Sequence, residues 1–273
     1  MKNESILNER LYSEISAAVV EAGKIMLSPD FDVTQKTSLE NIVTSSDVAV
    51  QNFLKEKLQK LVPECSFLCE EDDVHTLSSP YVFIIDPIDG TTNFSRGEPD
   101  CAISVALSYE NEIVFGIVHC VFKGETFTAV KGEGAYLNGR RIRVSDKPFS
   151  DGLFCTAMSV YRKSLAPVCF DIINDVFYRC NDVRRFGSCA IELCYIAAGR
   201  CDLYFELRIY PWDYAAAYLI LTEAGGMLTA LGGKKLTFDK TTVLIGANSR
   251  ENHEKLTAIV GKYLSTEPYD DKL

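Results

Sequence analysis

A short apolar run that ends in two aspartates constrains the fold of this chain more than any other segment. Residues 81–86 read YVFIID, a β-branched and aromatic run typical of a buried strand. The chain then turns through DPIDG (86–90), where proline restricts one φ angle and glycine permits a close backbone approach. An unpaired carboxylate at the end of a buried strand is costly. We therefore predict that Asp86 and Asp89 converge on one ligand site.

The residues of this turn suit a metal ion and a phosphate. Two convergent carboxylates make a site for a hard cation, and the free N–H groups of Gly90 and Thr91 at a helix start can bind phosphate. In isolation, the same residues are equally consistent with an ordinary turn and a helix cap. Two further acidic segments, at 70–73 and at Trp212–Asp213, favour the functional interpretation. Together they indicate metal-assisted phosphoryl chemistry.

Helical and strand patterns alternate along the chain. Apolar spacing predicts helices over 6–26, 48–61 (with Ser45, Ser46 or Asp47 as N-cap), 165–178, 189–199 and 213–224, the last ending at Gly225–Gly226. Apolar or alternating runs predict strands over 81–86, 101–109, 112–119, 125–130, 201–206 and 243–247, with a hairpin turn at Asn138–Gly139. Because no flexible linker interrupts these elements, we predict two subdomains in one rigid body, residues 1–147 and 148–273.

Charge and cysteine usage restrict the class of protein. The formal net charge of −10 argues against nucleic acid as a partner. None of the ten cysteines has CxxC spacing, which disfavours a zinc ribbon or a thioredoxin-like site. The sequence shows neither a secretory leader nor a membrane span, so we expect a cytoplasmic protein with reduced, mostly buried cysteines. The three histidines, His75, His119 and His253, lack ligand spacing and are expected on the surface or in strands.

Three motifs together resemble the inositol monophosphatase family, a group of Mg²⁺-dependent, lithium-sensitive phosphatases. These motifs are EE (70–71), DPIDGTTNF (86–94) and WDYAAAYLILTEAGG (212–226). Segments 41–47, 131–145 and 184–206 also have counterparts in the family, in the same order. The resemblance implies an α+β fold, specifically a layered α/β/α/β/α sandwich, and a homodimer.

The resemblance also implies a metal-binding role for five residues. Glu70, Asp86 and the carbonyl of Ile88 would hold a first Mg²⁺. A second Mg²⁺ would be held by Asp86, Asp89 and Asp213. The family pattern also allows a third, weaker Mg²⁺ site at Glu70. Asp86 would belong to both of the main sites and is therefore counted among the catalytic residues.

The remaining site residues would bind the substrate and the attacking water. The backbone N–H groups of Gly90 and Thr91 would bind the phosphate, and Thr91 with Glu70 would orient and deprotonate water. Four residues fall where the family contacts the polyol: Asp89, Cys189, Glu206 and Asp213.

The predicted function is hydrolysis of a small polyol monophosphate, with inositol monophosphate as the first candidate substrate. A first alternative is fructose 1,6-bisphosphate, NADP or another sugar or nucleotide phosphate, because one scaffold serves many substrates. A second alternative is a regulatory role associated with protein or RNA. Arg208 stands where the family commonly has glycine. It is interpreted either as a ligand of a second phosphate or as an exposed arginine in a loop or dimer contact.

Overall fold

Seven α-helices occur in this computed structural model, which describes residues 6–28, 30–38, 41–72, 77–160 and 162–266. They are α1 (Glu9–Met26), α2 (Ser45–Leu61), α3 (Thr91–Arg96), α4 (Ala166–Phe177), α5 (Cys189–Ala197), α6 (Pro211–Glu223) and α7 (Arg250–Tyr263). The strands of these residues form three sheets. The smallest is an antiparallel pair, β1 (Val33–Ser38) and β2 (Asn41–Thr44).

The largest sheet has seven strands that follow one another in chain order. They are β3 (Ser66–Cys69), β4 (Tyr81–Asp89), β5 (Ala102–Tyr109), β6 (Glu112–Cys120), β7 (Glu125–Val130), β8 (Gly134–Leu137) and β9 (Arg140–Ile142). Only β3 and β4 pair in parallel. Asn138 and Gly139 both have positive φ angles between β8 and β9, which confirms the predicted hairpin turn.

The second large sheet has five strands. They are β10 (Leu153–Thr156), β11 (Asp182–Arg184), β12 (Leu203–Ile209), β13 (Met227–Thr229) and β14 (Thr242–Ala247). Their order across the sheet is β11-β10-β12-β14-β13, with β10 parallel to both of its neighbours. The seven-stranded sheet ends at Ile142 and this sheet begins at Leu153. The division of the chain into 1–147 and 148–273 stays a prediction.

Successive side chains of a strand point to opposite faces of its sheet. Each large sheet therefore packs against helices on both faces, and the fold has five layers. On β4, Phe83 and Ile85 pack with α1 and α2, whereas Ile84 packs with α5 and α6. On β12, Phe205 packs with α4 and α7, whereas Tyr204 belongs to the core around α5 and α6. Helices α5 and α6 therefore lie between the two large sheets. The predicted α/β/α/β/α sandwich is confirmed.

Helix α6 approaches the seven-stranded sheet very closely. A Cβ atom built on Gly116 of β6 would lie 2.6 Å from the carbonyl oxygen of Ala216 in α6. Real Cβ atoms essentially never come so near, so only glycine allows this contact. The contact sets the height of α6 above the sheet, and α6 begins with the residues that contribute Asp213.

Several helix boundaries differ from prediction for local reasons. Helix α1 begins at Glu9 rather than at residue 6, because the Asn8 side chain accepts a hydrogen bond from the Leu11 N–H and acts as the N-cap. The prediction of an N-cap at Ser45, Ser46 or Asp47 for α2 was wrong. Thr44 is the N-cap, and Asp47 at the third helical position accepts the Thr44 N–H at 2.8 Å.

The bounds of the elements near the candidate site also differ from prediction. Strand β4 continues to residue 89 rather than ending at 86, because the pairing with β5 shifts register between Asp86 and Asp89. Strand β12 spans 203–209 instead of 201–206, and α6 begins at Pro211, two residues earlier than predicted. Proline suits the first helical turn because proline lacks an N–H group, and an N–H at that position would have no acceptor within the helix.

The cysteines and histidines occupy mostly structural positions. All ten cysteines are free thiols, and eight of them are buried, as predicted. His119 lies in β6, also as predicted. The prediction for His253 was wrong, because His253 is buried in α7 with its Nε2 atom 2.8 Å from Thr229 Oγ1. His75 lies outside the described residues. No helix in the described part of the chain is long and apolar enough to cross a membrane.

Candidate functional site

A cavity of about 710 Å³ lies where β4, α3, α5, β12 and α6 meet. This volume is within the usual range for sites that bind small molecules. All predicted site residues line it: Glu70, Asp86, Ile88, Asp89, Gly90, Thr91, Cys189, Glu206 and Asp213. The fold therefore gathers into one cavity residues that are up to 143 positions apart in the sequence (from 70 to 213).

Three aspartates form the floor of the cavity. Asp86, Asp89 and Asp213 each present a carboxylate oxygen, and these atoms lie within 4.8 Å of one another. The register shift in β4 brings Asp86 and Asp89 together, and Asp86 Oδ1 accepts the Ile88 N–H at 2.9 Å. Asp213 lies in the first turn of α6, where its Oδ2 accepts the Tyr210 N–H at 3.0 Å.

Burial and mutual repulsion disfavour the ionised forms of these aspartates. Burial, reinforced by the charges of neighbouring acids, raises the pKa of Asp86 and of Asp213 well above the usual range. Burial raises the pKa of Asp89 to about 6, although Asp89 accepts two hydrogen bonds. Carboxylate oxygens are the ligands that Mg²⁺ and Ca²⁺ prefer. A buried, crowded set of hard oxygen donors fits a divalent cation, which would relieve the repulsion.

Glu70 follows β3 and lies beside this triad. Burial raises the pKa of Glu70 to about 7, the charge of Lys36 opposes the rise, and the charge of Glu71 adds to it. The Lys36 ammonium lies 3.7 Å from Glu70 Oε1 and 2.6 Å from Glu71 Oε1. A lysine therefore supplies the positive charge at this edge of the cavity.

Gly90 and Thr91 form the tight turn that the sequence predicted. Gly90 has φ = 94°, and a Cβ atom there would lie 2.8 Å from the carbonyl oxygen of Asp100, so the position requires glycine. No side chain caps the N-terminus of α3 at this point. The Thr91 hydroxyl oxygen lies 3.0 Å from the Ile88 carbonyl and 3.3 Å from Asp47 Oδ1. Two acceptors thus restrict the orientation of this hydroxyl.

Asp47 belongs to the site, although its sequence pattern predicted only a role at the start of a helix. It was interpreted only as a helix-cap candidate, but it is fully buried and reaches the Thr91 hydroxyl. Burial raises the pKa of Asp47 to about 6, against the effect of its hydrogen bonds from Thr44. Its position within the family-like segment 41–47 was the available signal.

A second missed residue is Glu192, which organises the loop before α5. Asp89 Oδ2 accepts hydrogen bonds from Ser188 Oγ at 2.7 Å and from the Ala190 N–H at 2.6 Å. Glu192 Oε1 accepts the N–H groups of Phe186 at 2.6 Å and Gly187 at 3.0 Å. Burial raises the pKa of Glu192 to about 8. A glutamate in the otherwise apolar segment CAIELCYIA was the signal for such a role.

Two substitutions of Glu192 should separate its hydrogen bonds from its charge. Glu192→Gln retains an acceptor oxygen and should cost less than about 1 kcal/mol of unfolding free energy at pH 7, because the native carboxyl, with a pKa of about 8, is then mostly protonated. Glu192→Ala leaves two buried N–H groups without an acceptor and creates a cavity, so it should cost about 2–4 kcal/mol. Urea unfolding measures both values. Equal losses in the two variants would show that Glu192 does not hold the loop.

The wall near α5 and β12 contains the predicted substrate contacts. Burial raises the pKa of the Cys189 thiol well above its usual range, so Cys189 is a neutral wall residue. Burial raises the pKa of Glu206 to about 7, and the Tyr204 hydroxyl donates to Glu206 Oε2 at 2.6 Å. Arg208 lies half-buried on β12 and lines the cavity, so the alternative of an exposed arginine in a loop was wrong.

Comparisons with known proteins agree with this geometry. The sequence model of the inositol monophosphatase family matches residues 7–265. The Nus factor SuhB of Pasteurella multocida is 38% identical over 206 residues, which cover 75% of this chain and 77% of the relative. This name does not support our prediction that the chain has no nucleic-acid partner.

Solved structures show the same fold. The extragenic suppressor protein suhB from Bartonella henselae superimposes with a TM-score of 0.86 at 30% identity, over 94% of this chain and all of that protein. An IMPase of Thermotoga maritima gives a TM-score of 0.84 at 31% identity, over 94% of this chain and 99% of the other.

Proposed function

The chain belongs to the inositol monophosphatase family, and from this premise we propose that it is a Mg²⁺-dependent phosphatase that hydrolyses a phosphate monoester of a small polyol. Inositol monophosphate is the reference substrate. One observation carries the proposal: the triad of Asp86, Asp89 and Asp213 shares a cavity with the glycine turn that begins α3. A cation site and a phosphate site side by side are what phosphoryl transfer requires.

The donor set assigns the cations to particular residues. Glu70, Asp86 and the Ile88 carbonyl would hold one Mg²⁺, and Asp86, Asp89 and Asp213 a second, with a third, weaker site at Glu70. Bound there, Mg²⁺ would supply Lewis-acid chemistry by lowering the pKa of the attacking water and neutralising charge on the phosphate and the leaving oxygen.

The protein's own groups would position the reactants. The N–H groups of Gly90 and Thr91 bind the phosphate oxygens at the start of α3. The Thr91 hydroxyl, which lies between Asp47 and the Ile88 carbonyl, orients the attacking water. Glu70 would accept the proton that the attacking water releases.

The polyol would occupy the opposite wall of the cavity. Glu206 accepts hydrogen bonds from polyol hydroxyls, and Cys189 supplies a neutral surface against the ring. Asp89 and Asp213 line the same cavity, and they would contact the polyol as well as the cation. In-line attack then depends mainly on how well these groups fix the scissile bond.

Phosphate release from a small substrate panel tests the proposal. Inositol 1-phosphate, fructose 1,6-bisphosphate, adenosine 2′-monophosphate and NADP are incubated with the purified protein, with Mg²⁺ and with EDTA. We expect Mg²⁺-dependent release from inositol 1-phosphate and none with EDTA. Absence of release from every substrate at saturating Mg²⁺ would reject the phosphatase function.

A transcription-associated role is a second candidate, which we propose because relatives carry the name Nus factor. It is tested by measuring transcription termination in vitro with the wild-type protein and with Asp213→Asn. A regulatory role independent of hydrolysis predicts equal effects of the two proteins. Homodimer formation, lithium sensitivity and cytoplasmic location stay predictions.

A further inference from the structure

Tyr204 is a completely buried tyrosine that lines the cavity at the wall proposed to hold the polyol. It lies on β12 two positions before Glu206, so the two side chains project from the same face of the strand. Phe205, between them, packs on the opposite face with α4 and α7. Strand β12 therefore brings a phenol and a carboxyl group side by side at the cavity.

The neighbouring strands leave the Tyr204 ring little room to move. Tyr204 pairs with Cys155 of β10 on one side and with Gly246 of β14 on the other. A Cβ atom built on Gly246 would lie 3.3 Å from the Tyr204 Cβ, which is closer than nine in ten real contacts of this kind. Close packing of a buried ring restricts its rotamers, so the direction of the Tyr204 hydroxyl is well defined.

The Tyr204 hydroxyl engages one oxygen of the Glu206 carboxyl group. It donates to Glu206 Oε2 at 2.6 Å. Among the residues that the structure describes, no other group donates a hydrogen bond to this carboxyl, and none forms an ion pair with it. Glu206 is only 9% exposed, and a buried acceptor without a donor is costly. Because Glu206 lines the cavity, a ligand there can supply the donor for Oε1.

We propose that Tyr204 is a positioning residue for substrate specificity: it holds Glu206 so that Oε1 accepts a hydrogen bond from a hydroxyl group of the polyol. The Tyr204 hydroxyl acts through Glu206 rather than on the reacting atoms. A carboxyl group that is oriented in advance loses less conformational entropy when the polyol binds. This role rests on the proposed phosphatase function, and it predicts a preference for esters whose alcohol carries further hydroxyl groups.

Two esters with the same six-membered carbon ring test this role. Inositol 1-phosphate has free hydroxyl groups on the ring, and cyclohexyl phosphate has none. Tyr204→Phe should lower kcat/KM for inositol 1-phosphate relative to cyclohexyl phosphate about tenfold, mainly through KM. The values for cyclohexyl phosphate should change less than about twofold, because this ester offers Glu206 no donor. A purely structural effect of Tyr204→Phe would lower both substrates alike and leave the ratio unchanged.

Tyr214→Phe is the matched control. Tyr214 is also completely buried, but its hydroxyl donates to the Thr237 carbonyl at 2.9 Å, and neither residue lines the cavity. This variant should keep the wild-type ratio of the two substrates. Thermal unfolding verifies that both phenylalanine variants are folded under the assay conditions.

A double substitution tests whether Tyr204 acts through Glu206. Glu206→Ala removes the carboxyl group and should itself lower the substrate ratio at least about tenfold. Adding Tyr204→Phe to Glu206→Ala should then lower the ratio less than about twofold further, because the group that Tyr204 holds is gone. A further tenfold loss would contradict a role through Glu206.

A binding measurement separates this role from the phosphatase function. Cyclohexylphosphonate and the phosphonate analogue of inositol 1-phosphate are titrated calorimetrically with Mg²⁺ present, since their C–P bonds resist hydrolysis. We expect the inositol analogue to bind at least about tenfold more tightly, and Tyr204→Phe to remove most of that preference. If neither ester releases phosphate but this preference depends on Tyr204, the positioning role stands and the phosphatase function fails. No preference in the wild type, or an unchanged preference in Tyr204→Phe, would overturn the positioning role.

Discussion

Asp213→Asn should lower kcat about 10³-fold while leaving the fold intact. The change removes one negative charge from the triad, and loss of a cation that neutralises transition-state charge costs several kcal/mol. The asparagine side-chain oxygen can still accept the Tyr210 N–H, which Asp213 now accepts at 3.0 Å, so the start of α6 should persist. Phosphate release from inositol 1-phosphate measures the loss, and circular dichroism with thermal unfolding verifies the fold.

Asp146→Asn is the matched control for this substitution. Asp146 is exposed and lies outside the cavity, so the control removes the same charge without touching the site. Its kcat should equal that of the wild type. Activity of Asp213→Asn within threefold of the wild type would contradict the assignment of Asp213 to a cation.

Asp86→Asn should stabilise the metal-free protein at pH 7.5 and have little effect at pH 4. The pKa of Asp86 is raised in the folded state, so the folded protein retains a proton that the unfolded chain releases. Stability is therefore lost as the pH rises above the unfolded value near ~4. Glu70 and Asp89, with pKa values of about 7 and about 6, act in the same direction. Asp86→Asn removes one of these ionisable groups and therefore reduces the loss of stability at higher pH.

Thermal unfolding in EDTA measures this effect across pH 4–8. We expect the Tm of Asp86→Asn to exceed that of the wild type by at least about 3 °C at pH 7.5, since 1 kcal/mol moves Tm by roughly 2–4 °C at this size. Mg²⁺ should raise the wild-type Tm at pH 7.5 and do so less at pH 5, where protons compete. If the Tm difference between Asp86→Asn and the wild type does not change with pH, the proposal of a crowded acidic site is contradicted.

Local patterns predicted the elements whose determinants are local. Strands β5, β6 and β7 lie within a residue of their predicted bounds, because alternating side chains and adjacent turns define them. The start of α2 was misplaced because Thr44 and Asp47 cap each other through a reciprocal pair of hydrogen bonds. The end of β4 was misplaced because a register shift depends on the partner strand.

The candidate site likewise contains residues that local patterns predicted and residues that they did not. Acids at helix and strand ends stood out because they lie in turns that suit a ligand. Asp47 and Glu192 did not stand out, because what distinguishes them is burial and the N–H or hydroxyl groups they meet. Arg208 was recognised as unusual, but only the tertiary structure shows that it lies half-buried on β12 and lines the cavity.

The sequence by itself determined the kind of chemistry, because a turn such as DPIDG sets two carboxylates and a glycine N–H group within a few residues of one another. Only the tertiary structure decided which distant residues complete that turn. Asp213 joins it because Gly116 lets α6 lie against the large sheet, and Ser188 joins it through a hydrogen bond to Asp89. Packing between layers, which no local pattern encodes, determines which residues share a cavity.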